Sequence, residues 1–279
     1  MKSYLLFSIL TVSILHSCGS SAEENDYLFS DPEDLDNDGK VSIYDDSLKI
    51  IRNWERLLDE DPSMQEEIDN FTIKQIWFDD IDRALSREHD KIYWLKLIHN
   101  DRLSEDDLYK ICSFPNIEIL DLYASVNSNL PACIFELEHL KILDLSSNKL
   151  DSTTAKFGRL SSLEELYLDG CYSKKIPESI FELDNLKELW LGNNELESLS
   201  TSIQNLKNLK WIKLADNNFT EVPEVLCQLP SLEVIDISGN RITELPACLC
   251  KLPNLKRINV WGNLISMIPV EFQETEIDL

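Results

Sequence analysis

The sequence predicts an α/β fold, a solenoid in which each turn of the chain adds one strand to a parallel β-sheet. Three observations predict it. An apolar phrase recurs with a fixed period, each phrase has the alternation of a β-strand, and the stretch between phrases is long enough to return the chain to its starting side. Seven units begin at the same register: Ile117, Leu140, Leu163, Leu186, Leu209, Leu232 and Leu255.

Each unit is expected to form one short strand. At unit positions 4 and 6, as at Leu189 and Leu191, two apolar residues flank one free position. Both side chains therefore point into the core, whereas positions 3, 5 and 7 face outward. Apolar residues at positions 1, 11, 14, 18 and 21 fill the space behind the strand, and each contributes roughly 1.5–3 kcal/mol when buried. No unit can bury these residues alone, so the units must stack.

The full phrase reads L-x-x-L-x-L-x-x-N-x-L followed by L-P-x-x-I-x-x-L, most clearly in the unit that starts at Leu232. With these residues the chain resembles the leucine-rich-repeat superfamily, in its 23-residue class, from about residue 92 to 272. The resemblance implies a curved solenoid that carries its parallel sheet on the concave face and usually binds other macromolecules. A longer and less regular unit starts at Ile92 and ends before Ile117, as suits an edge repeat.

Position 9 is an asparagine in five units: Asn148, Asn194, Asn217, Asn240 and Asn263. The backbone groups of a buried turn need hydrogen-bond partners, which an amide side chain supplies as donor and acceptor. The resemblance implies that these asparagines bond neighbouring turns as a ladder. Ser125 and Cys171 replace them in two units, where we expect a weaker ladder. The alternative, that they are surface turn residues, is disfavoured by their single register.

Composition narrows the function. The 279 residues are 43% apolar, enough for a sizeable core, and the formal net charge is −25. Such acidity disfavours nucleic acid and anionic lipid as partners, because both carry negative charge. None of the four histidines lies in a metalloprotease or triad motif, and no glycine-rich phosphate loop occurs. We therefore expect a protein that is not an enzyme.

The N-terminus has the pattern of a targeting segment. Lys2 precedes an apolar stretch too short to span a bilayer, and residues 15–18, Leu-His-Ser-Cys, resemble the bacterial lipobox. The resemblance implies that residues 1–17 are a signal peptide and that Cys18 is lipidated. Residues 18–30 then form a flexible tether, and the protein is exported as an outer-membrane or cell-surface lipoprotein. Cleavage after Ala22, giving a soluble secreted or periplasmic protein, is the alternative.

Residues 34–45 carry the sharpest chemical motif. Acidic residues stand at loop positions 1, 3, 5 and 12, and Gly39 permits a sharp turn. The segment resembles an EF-hand loop of the dockerin kind, which implies one calcium ion as cofactor. The implied ligands are Asp34, Asp36, Asp38, Lys40 through its carbonyl, Ser42 and Asp45. No second such loop occurs, so the cohesin binding of dockerins is not expected, and a solvated acidic linker is the alternative.

Residues 31–91 are expected to form a small helical N-terminal cap that holds this loop, and residues 92–279 the solenoid. Ile50, Trp54 and Leu58 fall at helical spacing, which predicts an amphipathic helix over 46–60. Residues 64–90 fit either a degenerate strand unit or a helix, and we favour the helix. Cys227 and Cys250 share position 19 in adjacent units. They either form a disulfide or are small buried residues, and we favour the latter.

The outward positions of the strands give the candidate binding surface. Tyr167, Trp190 and Trp211 are neighbours there, and exposed aromatic residues on a rigid sheet are unusual without a partner. We expect them to bind a protein or peptide that carries basic and apolar groups. The complete predicted set is Tyr167, Trp190, Trp211, Glu165, Glu188, Lys213 and Trp261. The aromatics packing only against each other is one alternative, and glycan binding is another.

Overall fold

The computed structural model describes residues 81–85, 89, 92–97, 103–126, 130–149, 156–272 and 275–278. Its main element is a nine-stranded parallel sheet in which the strands follow one another in sequence order, as a solenoid requires. The strands, β1 to β9, are Trp94–Lys96, Ile119–Asp121, Ile142–Asp144, Glu165–Tyr167, Glu188–Trp190, Trp211–Lys213, Val234–Asp236, Arg257–Asn259 and Glu276–Asp278.

The segments that return the chain are helical and short. Helix α1 is Ile81–Leu85, and helix α2, Glu105–Ile111, starts at a capping box in which Ser104 and Asp107 bond each other's backbone N–H. Seven 3₁₀ helices follow: Ala132–Glu136, Phe157–Arg159, Glu178–Glu182, Thr201–Asn205, Glu224–Gln228, Leu249–Lys251 and Val270–Phe272. Three of them follow a proline at the N-cap, where the fixed φ and the missing N–H of proline cost no helical hydrogen bond.

The core lies between the sheet and these returning segments, as the repeat pattern predicted. Positions 4 and 6 are buried from β1 to β8, for example Leu189 and Leu191, and the residues at positions 1, 18 and 21 of most units meet them from behind. From β2 to β8, residues at the same unit position pair across neighbouring strands, as Ile119 does with Ile142. The first unit, from Ile92, is longer than the others, so Trp94 at its position 3 pairs with Ile119 of the next unit, as expected for an edge repeat.

The turn after each strand confirms the asparagine ladder. Asn217 Nδ2 donates to the carbonyls of Leu191 at 2.9 Å and Leu214 at 3.1 Å, and its Oδ1 accepts from the Leu196 N–H at 3.0 Å. Cys171, in place of asparagine, offers only a thiol to the Leu145 carbonyl at 3.4 Å. Position 8, just before the asparagine, has a φ between 50° and 71° in seven units, so the tight left-handed turn is kept even without glycine.

Two features were not predicted. Strand β9 pairs with β8 after a step shorter than a repeat, Arg257 with Glu276, in a segment that lacks the leucine phrase. The cysteine prediction was wrong in both of its forms. Cys227 is bonded to Cys248, and Cys112 is bonded to Cys133, while Cys250 remains a thiol. Both bridges span 21 residues, and in the second one the cysteines lie at positions 19 and 17 of adjacent 23-residue units.

The N-terminal predictions fall largely outside the described residues. The lipobox with Cys18, the calcium loop at 34–45 and the helix at 46–60 all lie there, and α1 lies within the 64–90 stretch for which a helix was favoured. No helix in the described ranges is both long and apolar enough to cross a membrane. Nor do the described residues include a group of three or more His, Cys, Asp or Glu side chains that would hold a metal ion.

Candidate functional site

We call the surface formed by the outward side chains at positions 3, 5 and 7 the sheet face. Its centre lies on β4, β5 and β6, where parallel pairing sets Glu165 beside Glu188 and Tyr167 beside Trp190. The next pairing sets Glu188 beside Trp211 and Trp190 beside Lys213. Six of the seven residues predicted to bind a partner therefore lie side by side, in two rows across three strands.

Trp261, the seventh, lies apart from them. It follows β8, three strands beyond β5, and its side chain is 67% exposed. Its backbone N–H donates to Asn259 Oδ1 at 3.1 Å, which fixes the turn but leaves the indole in solvent. Trp261 thus has the exposure expected of a contact residue but does not join the central group.

The expected exposure of the central aromatics is wrong. Tyr167 is 4% exposed and Trp190 is 7% exposed, although both face outward from the sheet. Their rings pack edge to face with centroids 5.0 Å apart, and the Trp190 and Trp211 rings are 5.7 Å apart at an angle of 47°. Large neighbours on adjacent strands bury one another even on the outer side of a sheet. Of the three rings, Trp211 alone stays partly open.

Lys213 also covers the ring of Trp190. Its Nζ lies 4.6 Å from the centroid of the Trp190 ring, a cation–π contact, and 3.5 Å from Asp169 Oδ2. Gly192 makes this packing possible, because a Cβ at Gly192 would lie 2.5 Å from Asp169 Oδ1 and 3.1 Å from Lys213 Cε. The absence of a side chain at position 192 therefore leaves room for the Asp169–Lys213 pair.

The two glutamates at position 3 are partly buried. Tyr167 Oη donates to Glu165 Oε2 at 2.6 Å. Burial, followed by the charge of Glu165, raises the pKa of Glu188 to about 7, against the effect of the Trp190 indole N–H. Burial likewise raises the pKa of Glu165, against the effect of the Tyr167 hydrogen bond. The N–H of Trp190 is buried, directed toward Glu188, and makes no hydrogen bond of ordinary geometry within the described structure.

A second acidic group, Asp121 on β2 and Asp144 on β3, was missed in the sequence. Burial, followed by repulsion from Asp121, raises the pKa of Asp144 to about 7. Asp144 Oδ1 accepts from the Ser146 N–H at 2.8 Å, and Asp121 and Asp236 close equivalent turns. Aspartate at position 5 therefore has a structural role in ending the strand. The signal was available in the sequence as an aspartate at the same position of several units.

The sequence also matches known families of proteins. Residues 115–172 and 207–265 match a family model described as Leucine rich repeat, and residues 185–206 match another model described as Leucine Rich Repeat. The chain carries leucine-rich repeats, and its fold is a leucine-rich-repeat solenoid. No curated protein sequence matches the chain.

Solved structures share this fold. A leucine-rich-repeat protein of Leptospira interrogans is 24% identical with a TM-score of 0.53, and the match covers 68% of this chain and 61% of that chain. The ectodomain of a plant membrane receptor kinase from Arabidopsis thaliana, in complex with Casparian strip integrity factor 2, is 22% identical with a TM-score of 0.51. That match covers 66% of this chain and 23% of the receptor. This chain therefore spans less than two thirds of either protein.

Proposed function

We propose that this chain is an exported binding protein that recognises a protein or peptide partner through the sheet face. The observation that carries the proposal is the central group on β4 to β6, where a half-open Trp211 adjoins Glu188 and packs beside the buried ring of Trp190. Interface energy concentrates in a few aromatic anchors that lie in such packed surroundings. Carboxylates with raised pKa values are also typical of functional sites, although structural networks produce them too.

The packing of the aromatic rings favours a polypeptide partner over a sugar. Sugar rings stack on open aromatic faces, whereas the Trp190 face is occupied by Lys213 at 4.6 Å. The Arabidopsis receptor ectodomain with the same fold was solved in complex with Casparian strip integrity factor 2. By extension from that complex, we propose a protein or peptide ligand for this chain.

Capture from surface extracts tests the proposal. Immobilised wild-type protein is compared with Trp211→Ala and with Glu178→Ala, an exposed position on the returning side. We expect Trp211→Ala to lose the captured partner and Glu178→Ala to retain it, with both variants folded by circular dichroism. Equal capture by all three proteins would remove the sheet face as the recognition surface. If the protein binds a glycan array and Trp211→Ala abolishes that binding, the partner is a sugar and not a polypeptide.

Export is supported by the two disulfides, since such bonds persist in oxidising compartments. We propose that Cys18 carries the lipid anchor. Cys18→Ala is then expected to leave the precursor unprocessed and to lose detergent-phase partitioning. Mass spectrometry of the mature N-terminus decides between the alternatives, because an unmodified residue 23 at that end would show ordinary signal-peptide cleavage instead.

We also propose that residues 34–45 bind one calcium ion. Carboxylates gathered at this spacing repel one another without a cation, and extracellular modules of this kind bind calcium at roughly 10⁻⁴–10⁻³ M. Calorimetry is expected to show one site that Asp36→Ala removes and that Asp26→Ala, in the tether, retains. Absence of heat at millimolar calcium in the wild-type protein would exclude the site.

A further inference from the structure

Glu165 and Glu188 are an unusual pair for a sheet. They lie at the same position of hydrogen-bonded neighbouring strands, where like charges repel and destabilise the pairing. Among the described residues, neither carboxylate takes part in an ion pair of contact distance. Lys187 lowers the pKa of Glu165 by its charge, but its Nζ is held by Glu164 Oε2 at 2.6 Å.

The position immediately before them shows what a structural charge row looks like in this chain. Position 2 reads Glu118, Lys141, Glu164, Lys187, Lys210, Glu233 and Lys256, in mostly alternating sign. Neighbours in this row pair across strands, Lys141 with Glu118 at 2.9 Å and Lys210 with Glu233 at 3.4 Å. Within the described part of the solenoid, the charges at position 2 therefore pair with one another, whereas the two adjacent acids at position 3 have no ion-pair partner at contact distance.

The surroundings of the pair are apolar. On the same row, Ile119 and Ile142 lie on one side, and Trp211 and Val234 lie on the other. Burial is the largest cause of the raised pKa of both glutamates. Two acids that are desolvated side by side, with no cation of the described residues in contact with them, form a site that an external cation would stabilise.

A buried donor is directed at the same point. Trp190 is 7% exposed, and its Nε1 lacks a hydrogen-bond partner of ordinary geometry while facing the Glu188 carboxylate. Tyr167 Oη holds Glu165 Oε2 at 2.6 Å. Both donors belong to the aromatic row at position 5, which lies beside the two carboxylates. Each ionised carboxylate has further acceptor sites, so donors from a partner can still be accommodated.

The aromatic rings beside the pair already bind a cation within the chain. Lys213 Nζ sits over the Trp190 ring at 4.6 Å, which shows that this ring is used as a cation–π surface. The Trp211 ring is only partly buried and adjoins Glu188 on the next strand. Carboxylates flanked by such a ring suit a planar cation that can stack and donate two parallel hydrogen bonds.

We propose that Glu165, Glu188 and Trp211 form the receptor for an arginine side chain of the protein or peptide partner. The inference rests on the proposed function and names the group that the sheet face recognises. The guanidinium donates to the two carboxylates and stacks on Trp211. Lysine, a point charge without a plane, fits this arrangement less well.

The test uses the full-length protein and blocked amino acids as probes. Nα-acetyl-arginine methylamide is titrated while the carboxyl carbon NMR signals of Glu165 and Glu188 are followed, each assigned by its Glu→Gln variant. We expect saturable shifts with arginine, weaker ones with the lysine analogue and none with the uncharged citrulline analogue. Glu188→Gln is expected to weaken arginine binding by about tenfold, and Glu178→Gln to leave it unchanged.

Three results would overturn the inference. The citrulline analogue could shift the two signals as much as the arginine analogue, or Glu188→Gln could bind the arginine analogue as well as wild type does. Calcium chloride could also shift both signals where the arginine analogue does not. Its failure is distinguishable from failure of the proposed function. If partner capture needs Trp211 but Glu188→Gln captures as well as wild type, the sheet face binds the partner without an arginine receptor. If Trp211→Ala captures normally, the proposed function itself is wrong.

Discussion

At the scale of single residues, Trp190 shows that an outward position on a sheet can belong to the packed interior. Tyr167, Trp211 and Lys213 enclose its ring. Trp190→Ala is therefore expected to cost about 3–5 kcal/mol of unfolding free energy, as for other large buried aromatics. Trp261→Ala, at an exposed site, should change stability by less than about 0.5 kcal/mol. Urea unfolding followed by far-UV circular dichroism measures both, and equal stabilities would contradict the packing.

The repeat pattern predicted the neighbours of Trp190 but not its burial. Alternation along a strand assigns a side chain to a face, and the repeat period assigns it a neighbour. Burial on that face depends on the size and direction of side chains from two other strands, and on Gly192 admitting Lys213 and Asp169. The repeat period does not encode the size and direction of these neighbouring side chains. The exposure of Trp190 was therefore the property that the sequence predicted incorrectly.

Glu188 gives the molecule a predictable response to pH. Its pKa rises from an ordinary 4.5 to about 7 in the folded protein, chiefly through burial. The folded state therefore holds the proton more tightly than the unfolded chain. The resulting stabilisation is fully present below about pH 4.5 and is lost as the pH rises through about 7. The groups that act on Glu188 are Glu165, which opposes its ionisation, and the Trp190 N–H, which favours it.

Glu188→Gln should remove this part of the pH dependence. Above pH 7 the variant is expected to be more stable than wild type by about 1–3 kcal/mol, with the difference shrinking toward pH 4.5. Asp144, whose pKa is raised in the same direction, contributes to both proteins and cancels in the comparison. Urea midpoints across this range provide the measurement, with Glu178→Gln as the control that follows wild type. A constant difference at all pH values would assign the effect to packing.

At the scale of the structural element, the asparagine ladder carries the solenoid turn. Asn217 satisfies the carbonyls of Leu191 and Leu214 and the N–H of Leu196, all in buried surroundings. Asn217→Ala leaves these groups without partners and is expected to cost about 2–4 kcal/mol. Thermal and urea unfolding give the value. A cost below about 1 kcal/mol would mean that water enters the turn and replaces the amide.

A second asparagine row supplies the matched control. Asn208 Nδ2 donates to the Asp184 carbonyl of the preceding unit at 2.8 Å. Asn185 and Asn254 donate in the same way to the Ser161 and Pro230 carbonyls of their own preceding units. These bonds are exposed, so water can take the place of the amide, and Asn208→Ala should cost no more than about 1 kcal/mol. The row was not predicted although its signal is plain in retrospect, an asparagine immediately before the first leucine of a unit.

The cysteines show why register alone did not find the disulfides. Cys227 and Cys250 share position 19 in adjacent units, yet they are not bonded to each other. Cys227 pairs instead with Cys248, two residues earlier in its unit, and the Cys112–Cys133 bridge has the same offset of 21 residues. A bridge requires Cβ atoms that point toward each other, which this offset provides and equality of position does not.

At the scale of the whole solenoid, stability should be uneven along the chain. Each repeat contacts only its neighbours, so the array opens at its weakest interface. The ladder is continuous from Asn194 to Asn263, but in the preceding unit Cys171 replaces the amide and Tyr172 adds a second left-handed residue. One disulfide lies on each side of this unit and neither crosses it. The unit at Cys171 is therefore where the sheet should divide.

Hydrogen exchange at low urea tests this division. The amides of Leu191, Leu214 and Ile237, which bond to the following strand or turn, are expected to stay protected when those of Leu122 and Leu145 already exchange. Cys171→Asn restores a two-proton donor and an acceptor at the weak interface, and it should bring the two groups of amides toward a common exchange rate. Cys250→Ser, which removes the other free thiol without touching the ladder, is the control and should leave the difference intact. Uniform protection across β2 to β8 in the wild-type protein would show that the thiol at Cys171 holds its turn as firmly as the amides hold theirs.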